Sequence, residues 1–133
     1  QRLWLEIYEN VPVSCEESHR KNSASAQARL QMMMQYIQLN YTQDISLEDI
    51  ADHVGISKST VLNLFRDHLH ITPINYLISY RLNEAALLLT NTEKKIHTVS
   101  GEAGFHNVDY FCRVFKKHYH ITPTEYRKKK SPG

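Results

Sequence analysis

His68-Leu69-His70-Ile71-Thr72-Pro73-Ile74-Asn75-Tyr76 recurs later in the chain as His118-Tyr119-His120-Ile121-Thr122-Pro123-Thr124-Glu125-Tyr126, at a shift of 50 residues. At the same shift, Leu64-Phe65-Arg66 corresponds to Val114-Phe115-Lys116. Chance does not produce a repeat of this length, so self-similarity at a fixed shift indicates two copies of one structural unit. The 133-residue chain is therefore predicted to contain a duplicated supersecondary element.

Each copy is predicted to be a helix-turn-helix. In the first copy, Ser46 has the position of an N-cap and Asp49 follows three residues later, so a short helix begins there. Gly55 ends that helix where a left-handed backbone is favoured, and Ser57 caps the next helix. Gly104 is the corresponding glycine of the second copy, at a shift of 49, so the second copy has one additional residue after its turn.

Apolar residues at helical spacing predict an all-α fold of about seven helices, with two helix-turn-helix subdomains joined by a long linker helix. From Ala26, the first apolar stripe is Leu30, Met33, Met34, Ile37 and Tyr41. The stripe of the second helix in the first copy is Val61, Leu64, Phe65 and His68. The linker helix begins at Thr72-Pro73, with threonine as N-cap and proline in the first turn, and ends near Thr90.

We expect three segments along the chain. Residues 26–90 form the first helix-turn-helix subdomain with the linker helix, and residues 91–133 form the second subdomain with a basic C-terminal tail. Residues 1–25 are either a linker or the remnant of an upstream sensor domain, although the apolar cluster at its start also suits a short helix packed on its own domain. Because the chain begins with Gln1 rather than Met, we expect it to be part of a longer protein.

Composition excludes several functional classes. With four glycines and no glycine-rich segment, the chain lacks a dinucleotide fingerprint and a phosphate-binding loop. Local spacing assembles neither paired catalytic carboxylates nor a nucleophile with a partnered base, so we expect a protein that is not an enzyme and has no cofactor. Two separated cysteines, no long apolar segment and no signal peptide are typical of a cytoplasmic protein without a membrane partner.

Two histidine pairs, His68-x-His70 and His118-x-His120, raise the question of a metal site. Metal-ligand pairs on a helix favour positions i and i+4, and these pairs lie across helix ends. Duplication explains the repeated pairs without a metal, so no metal site is predicted.

A duplicated helix-turn-helix has an evident physical use. Each unit is able to offer one helix to the major groove of DNA, which is wide enough to admit it. The linker helix of about 18 residues is about 27 Å long, and successive major grooves on one face of DNA lie about 34 Å apart. A stiff connection therefore favours one chain that reads two adjacent grooves, while a helical protein-interaction module is the alternative.

Several motifs resemble the AraC/XylS-type bacterial transcription regulators. Leu47–Ser59 is similar to their first helix-turn-helix, and Gly104-Phe105 with Asp109–Lys117 and Thr122–Arg127 is similar to their second. The resemblance implies a seven-helix DNA-binding domain C-terminal to a ligand-sensing or dimerising domain. For the full-length protein, it implies double-stranded DNA, RNA polymerase and a small-molecule effector as partners.

By position in the family, the recognition helices cover residues 57–68 and 107–118. The candidate DNA-binding residues of the first are Lys58, Ser59, Thr60, Leu62, Asn63 and Arg66. The candidates of the second are His106, Asn107, Val108, Asp109, Cys112, Arg113, Lys116 and Lys117. Asn63 suits a bidentate contact with adenine, and Arg113 is the strongest candidate for a base contact because arginine to guanine is the commonest specific pairing.

Other roles compete for some of these positions. Arg113 is also placed to form a surface ion pair with Glu102 or Asp109, and Asp109 either accepts from cytosine or, preferentially, caps its helix. Leu62 either contacts a thymine methyl group or widens the core stripe. Cys112 is expected to be a small surface or groove residue rather than a redox sensor.

Basic residues are concentrated at the C-terminal end, with seven lysines and arginines against one glutamate from Tyr110 onward. Lys116, Lys117 and Arg127 are expected to hold phosphates, and the lysines at 128–130 either contact DNA loosely or only solubilise the tail. His70 and His120 stand where relatives usually have glycine, so either the loops turn differently or a positive φ is tolerated at some cost. Gly101, inside a predicted helix, costs about 1 kcal/mol relative to alanine.

Overall fold

The computed structural model describes the backbone of residues 14–130 and the side chains of residues 25–129. This part of the chain contains seven α-helices and no β-strand, which confirms the predicted all-α fold. The helices are α1 (Ser14–Asn40), α2 (Leu47–Val54), α3 (Lys58–Leu69), α4 (Pro73–Asn91), α5 (Ile96–Glu102), α6 (Val108–Tyr119) and α7 (Pro123–Lys130). None of them combines the length and the apolar character that crossing a bilayer requires.

Helix α1 begins at Ser14, well before Ala26, where the apolar periodicity starts. Residues 18–25, whose composition suits a linker, are therefore helical. No glycine or proline occurs between Ser14 and Asn40, so nothing in the local sequence ends the helix between Ala26 and Ser14. The apolar cluster near the N-terminus lies outside the described residues.

The predicted caps of the first helix-turn-helix are confirmed. The Ser46 hydroxyl accepts a hydrogen bond from the Asp49 amide (3.1 Å), and the Asp49 carboxylate accepts one from the Ser46 amide (2.9 Å). Gly55 ends α2 with a left-handed φ of 80°. The Ser57 hydroxyl then accepts from the Thr60 amide at the start of α3. Because both helices are capped, the turn between them has a defined geometry.

The first hydrophobic core packs α1, α2 and α3 against the start of α4. Its buried members are Leu30, Met33, Ile37, Ile50, Ala51, Val61, Phe65 and Leu77. The prediction that His68 completes the α3 stripe is wrong, since His68 is exposed and the half-buried Leu69 packs there. The i, i+4 row from Val61 through Phe65 leads to Leu69, so the apolar residue one position further along takes the inner site.

The second hydrophobic core packs α5, α6 and α7 against the rest of α4. Its buried members are Leu82, Ala85, Ala86, Leu89, Val99, Ala103, Phe105, Phe111 and Phe115. Helix α4 therefore supplies Leu77 to one core and four residues to the other. We call α1–α3 the first unit and α5–α7 the second unit; α4 is a structural part of both rather than a free spacer.

Candidate nucleic-acid interface

The outward face of α3 carries most of the residues predicted for the first recognition helix. Lys58, Ser59, Asn63 and Arg66 are all exposed. Thr60 is half-buried, and its hydroxyl lies 2.9 Å from that of Ser57, so it belongs to the helix cap. Arg66 contacts Asp67 at 3.3 Å, a solvent-exposed ion pair of the kind that contributes little to stability. Its guanidinium thus stays on the surface.

Leu62 belongs to the surface and not to the core. Its side chain is 40% exposed, so of the two roles open from the sequence the structure does not support the wider core stripe. It lines an open cleft of about 430 Å³ together with Arg66 and residues 70–72 and 75. An exposed leucine beside an arginine on one helix face offers an apolar contact next to a charged one.

The outward face of α6 is the equivalent surface of the second unit. Asp109, Arg113, Lys116 and Lys117 are exposed, and Val108 is half-buried. The prediction that Asp109 caps the helix is wrong, because the Asn107 side chain accepts the hydrogen bond from the Tyr110 amide (2.9 Å). Asp109 lies within the first turn instead, where a carboxylate complements the positive end of the helix dipole.

Arg113 is held by an aromatic neighbour rather than by a carboxylate. Its guanidinium carbon lies 5.4 Å from the ring centroid of Tyr110, within the range of a cation–π contact. Glu102 pairs with Lys94 (2.8 Å), and within residues 25–129 neither Glu102 nor Asp109 forms an ion pair with Arg113. The guanidinium of Arg113 thus lies beside the ring of Tyr110, a neighbour that nothing in the sequence pattern indicates.

Cys112 and His106 each contact another part of the protein. Cys112 is half-buried against the second core, and burial, with a smaller contribution from Asp109, raises the pKa of its thiol. A raised pKa disfavours the reactive thiolate. The Nε2 atom of His106 lies 2.9 Å from a carboxylate oxygen of Asp44, so its exposed ring faces the first unit.

The basic residues at the C-terminal end divide into two groups. Lys116 and Lys117 are exposed in the last turn of α6, where positive charge complements the helix dipole. Arg127 instead donates hydrogen bonds to the carbonyl oxygens of Leu89 (2.9 Å) and Thr92 (3.2 Å). It therefore attaches α7 to the end of α4, a structural role that the charge pattern did not indicate.

The repeated histidines lie at helix ends. His68 and His118 are exposed, while His70 and His120 are the C-caps of α3 and α6. Across the described residues, no group of three histidine, cysteine, aspartate or glutamate side chains is placed to hold a metal ion.

Comparison with known proteins agrees with this geometry. A family model described as "Helix-turn-helix domain" matches residues 50–129. The HTH-type transcriptional regulator YdeC of Bacillus subtilis is 35% identical over 103 residues, which cover 77% of this chain and 35% of the relative. The melibiose operon regulatory protein of Escherichia coli is 30% identical over 130 residues, or 96% of this chain and 43% of the relative. The chain thus spans less than half the length of these relatives.

Among solved structures, a transcriptional regulator from Chromobacterium violaceum with an AraC-type DNA-binding domain superimposes with a TM-score of 0.76. It is 32% identical, and the match covers 83% of this chain and 99% of that one. The likeness therefore extends over both units and the helix they share. The family is one of transcription regulators and not of enzymes. This chain belongs to the AraC-type helix-turn-helix transcription regulators and contains their DNA-binding domain.

Proposed function

We propose that this chain binds double-stranded DNA sequence-specifically, with α3 and α6 in adjacent major grooves. The observation that carries the proposal is the equivalence of these two helices. Each is the second helix of a helix-turn-helix, each is capped by a side chain at its start, and each has an exposed face with hydrogen-bonding groups. Because the units that carry α3 and α6 both pack on α4, the two exposed faces are better suited to contact two segments of one duplex than a single segment.

The base-reading residues of this proposal are Asn63 on α3 and Arg113 on α6. Both are exposed at equivalent positions of the repeat, 50 residues apart. An asparagine side chain pairs with the N6 and N7 atoms of adenine, and an arginine pairs with O6 and N7 of guanine. Ser59 and Lys58 near the start of α3, and Lys116 and Lys117 near the end of α6, are assigned to base edges or phosphates.

The longer relatives extend the proposal to the full-length protein. Because the melibiose operon regulatory protein is more than twice as long as the match, a further domain is proposed to sense a small-molecule effector. The complete regulator would act in the cytoplasm, with RNA polymerase as its partner at a promoter. Residues 14–130 themselves are assigned only the DNA contacts.

The test is selection of bound duplexes from a random library, followed by affinity measurements on the selected site. We expect a site with two short elements one helical turn apart. Arg113→Ala and Asn63→Ala are each expected to cost about 1–3 kcal/mol on that site and to relax the base preference at one position. Arg29→Ala on α1 and Asn83→Ala on α4 are matched controls, because both residues are exposed on helices that carry no assigned base contact.

Two results would contradict the proposal. One is an affinity for duplex DNA that does not fall with rising salt, which would favour a protein-interaction module. The other is an Arg113→Ala variant with the base preferences of the unchanged protein.

A further inference from the structure

The two units touch at the turn of the second helix-turn-helix. Gly104 has a φ of 101°, and a Cβ atom built there would lie 2.6 Å from the carbonyl oxygen of Tyr41. The same atom would lie 2.9 Å from Nε of Arg81 and 3.2 Å from Cα of Thr42. The backbone of the second unit is therefore seated against the chain that leaves α1, at a distance that only glycine permits.

Arg81 of α4 lies at the centre of this contact. Its Nε donates a hydrogen bond to the carbonyl oxygen of Tyr41 (2.6 Å), and its Nη2 donates one to that of Gln43 (2.8 Å). Its guanidinium carbon also lies 6.0 Å from the ring centroid of Phe105, in the second core. One side chain thus contacts the first unit through two hydrogen bonds and the second unit through an aromatic ring.

The chemistry of the contact requires arginine. The planar guanidinium has donors in a fixed fork and bridges two carbonyl oxygens at once, which a lysine ammonium does not do with the same geometry. Arg81 is half-buried, so its charge is partly removed from water and depends on these acceptors, and this burial lowers its pKa. The neighbouring pair of His106 and Asp44 is far more exposed, so it contributes less to the attachment.

A helix alone does not fix how the two units are rotated relative to each other. Helix α4 has 19 residues and sets the distance along its axis to about 28 Å. Each unit packs on a different part of that helix, and a contact that reaches across adds a further constraint on the orientation between the units. The contact of Arg81, Gly104 and the Tyr41 carbonyl provides that link.

We propose that Arg81, seated against Gly104, is a positioning residue that fixes the orientation of α3 relative to α6 and so determines which spacing of two DNA elements the protein accepts. This inference rests on the proposed two-groove function. Since both units are already oriented before binding, the second element is bound at a high effective concentration once the first is occupied. Loss of the contact lowers that concentration and leaves each single element unaffected.

The experiment compares duplexes that carry the two selected elements at the selected spacing, at spacings shorter or longer by a few base pairs, and one element alone. The variants are Arg81→Met, which keeps the apolar stem, and Arg81→Lys, which keeps the charge. Arg29→Met on the exposed face of α1 is the matched control. Thermal melts report whether each variant remains folded.

We expect the unchanged protein to lose about tenfold or more in affinity when the spacing changes. Arg81→Met is expected to bind the selected spacing about tenfold more weakly, to bind single elements within about twofold of the unchanged protein, and to show a flatter dependence on spacing. The affinity of Arg81→Lys for the selected spacing, and its dependence on spacing, should lie between those of the unchanged protein and of Arg81→Met. If Arg81→Met does not fold, Arg81→Lys alone decides the comparison, because the inference also requires that the affinity of Arg81→Lys depend less on spacing than that of the unchanged protein.

A spacing preference that both Arg81 variants leave intact overturns this inference and leaves the proposed function standing. Tight binding of single elements by the unchanged protein, with no gain from a second element, contradicts the proposed function and this inference together. A general loss of affinity for single elements in a folded Arg81 variant also overturns the inference, because it indicates damage to one unit rather than to the link.

Discussion

His70 and His120 both adopt the left-handed backbone conformation, with φ values of 61° and 70°, immediately after α3 and α6. Their amides donate hydrogen bonds to the carbonyl oxygens of Arg66 (3.0 Å) and Lys116 (2.7 Å). Within residues 14–130 they are the only non-glycine residues with positive φ. Of the two possibilities open from the sequence, the structure therefore shows the positive φ and not a different turn. Both copies of the repeat carry the same strained cap.

Replacing either histidine with glycine should stabilise the protein. A residue with a Cβ atom pays about 1–2 kcal/mol in this conformation, and part of the gain is offset by the greater freedom of glycine in the unfolded chain. We expect His70→Gly and His120→Gly each to raise the free energy of unfolding in urea by about 0.5–1 kcal/mol. His68→Gly and His118→Gly, two residues earlier inside the helices, should lower it by about 0.3–0.5 kcal/mol, the difference in helix propensity between glycine and histidine. If glycine changes the free energy of unfolding equally at both pairs of positions, the left-handed backbone of His70 and His120 is not strained.

Two glycines of the second unit should respond to alanine in opposite directions. Gly101 lies within α5 with no atom within 4 Å of an added Cβ, so Gly101→Ala should stabilise by about 0.5–1 kcal/mol through helix propensity. Gly104→Ala forces a left-handed alanine against the Tyr41 carbonyl and should destabilise by about 2 kcal/mol or more. Calorimetric melts of the two variants measure both shifts. A harmless Gly104→Ala would mean that the units are not in close contact at this turn.

Local signals explain why so much of the fold is predictable from the sequence. Ser46, Ser57, Thr72 and Asn107 precede helices in the structure, and each cap is a hydrogen bond between residues three apart. Such bonds depend on neighbouring residues only, and the repeat then transfers a boundary in one copy to the other. Asp109 shows the limit of this reasoning, because the sequence analysis assigned the cap of α6 to Asp109 and the structure assigns it to Asn107, two residues earlier.

Contacts between distant residues account for what was missed. Arg81 bonds to residues 40 and 38 positions earlier, and Arg127 to residues 38 and 35 positions earlier. In the sequence, both look like surface cations on helices, because no local pattern records which carbonyl oxygens lack donors. The exposed arginine at 113 and asparagine at 63 were identifiable from their places on the helix face, but the Tyr110 ring beside Arg113 was not.

Glu125 should make the stability of α7 depend on pH. Its carboxylate accepts a hydrogen bond from the Thr122 amide (2.9 Å), and this bond, aided by that of the Thr122 hydroxyl, lowers the pKa of Glu125 below its ordinary value of 4.5. A lowered folded pKa means that the stabilisation is complete above about pH 4.5 and is lost as the pH falls through the folded pKa. We expect Glu125→Gln to lower the melting temperature above pH 4.5, with a difference that shrinks in more acidic buffer.

The first copy of the repeat provides the converse of that experiment. In the first copy, Asn75 occupies the position of Glu125. Its backbone amide donates a hydrogen bond to the Thr72 hydroxyl (3.1 Å). Asn75→Glu should complete a capping box at the start of α4 and add stability at neutral pH that disappears in acid. If the melting temperatures of the unchanged protein and of Glu125→Gln differ by the same amount at every pH, the carboxylate charge has no part in the cap.

Lys116 and Lys117 should set the salt dependence of DNA binding more than its sequence preference. Each phosphate contact contributes about −0.9 to the slope of log affinity against log salt, so each lysine-to-alanine change should reduce the slope by about one. Arg29→Ala removes the same charge from α1 and should leave the slope unchanged. Binding titrations at several salt concentrations on selected and scrambled duplexes measure both quantities. If the lysine-to-alanine changes weaken binding to the selected duplex only, these lysines contact bases rather than phosphates.

Leu62 is expected to contact the methyl group of a thymine in the element read by α3. It is exposed on the same face as Asn63, and an apolar side chain in the major groove has few other favourable partners on base edges. Replacing each thymine of that element in turn with deoxyuridine removes only the methyl group, and one such change should weaken binding by about 0.5–1 kcal/mol. In Leu62→Ala the same change should have no effect, because the contact is already lost. Cys112→Ala, at the equivalent position of α6, is the matched control and should keep the full deoxyuridine effect. If Leu62→Ala also keeps it, Leu62 does not touch the methyl group, and its exposure has to be explained by the cleft it lines with Arg66.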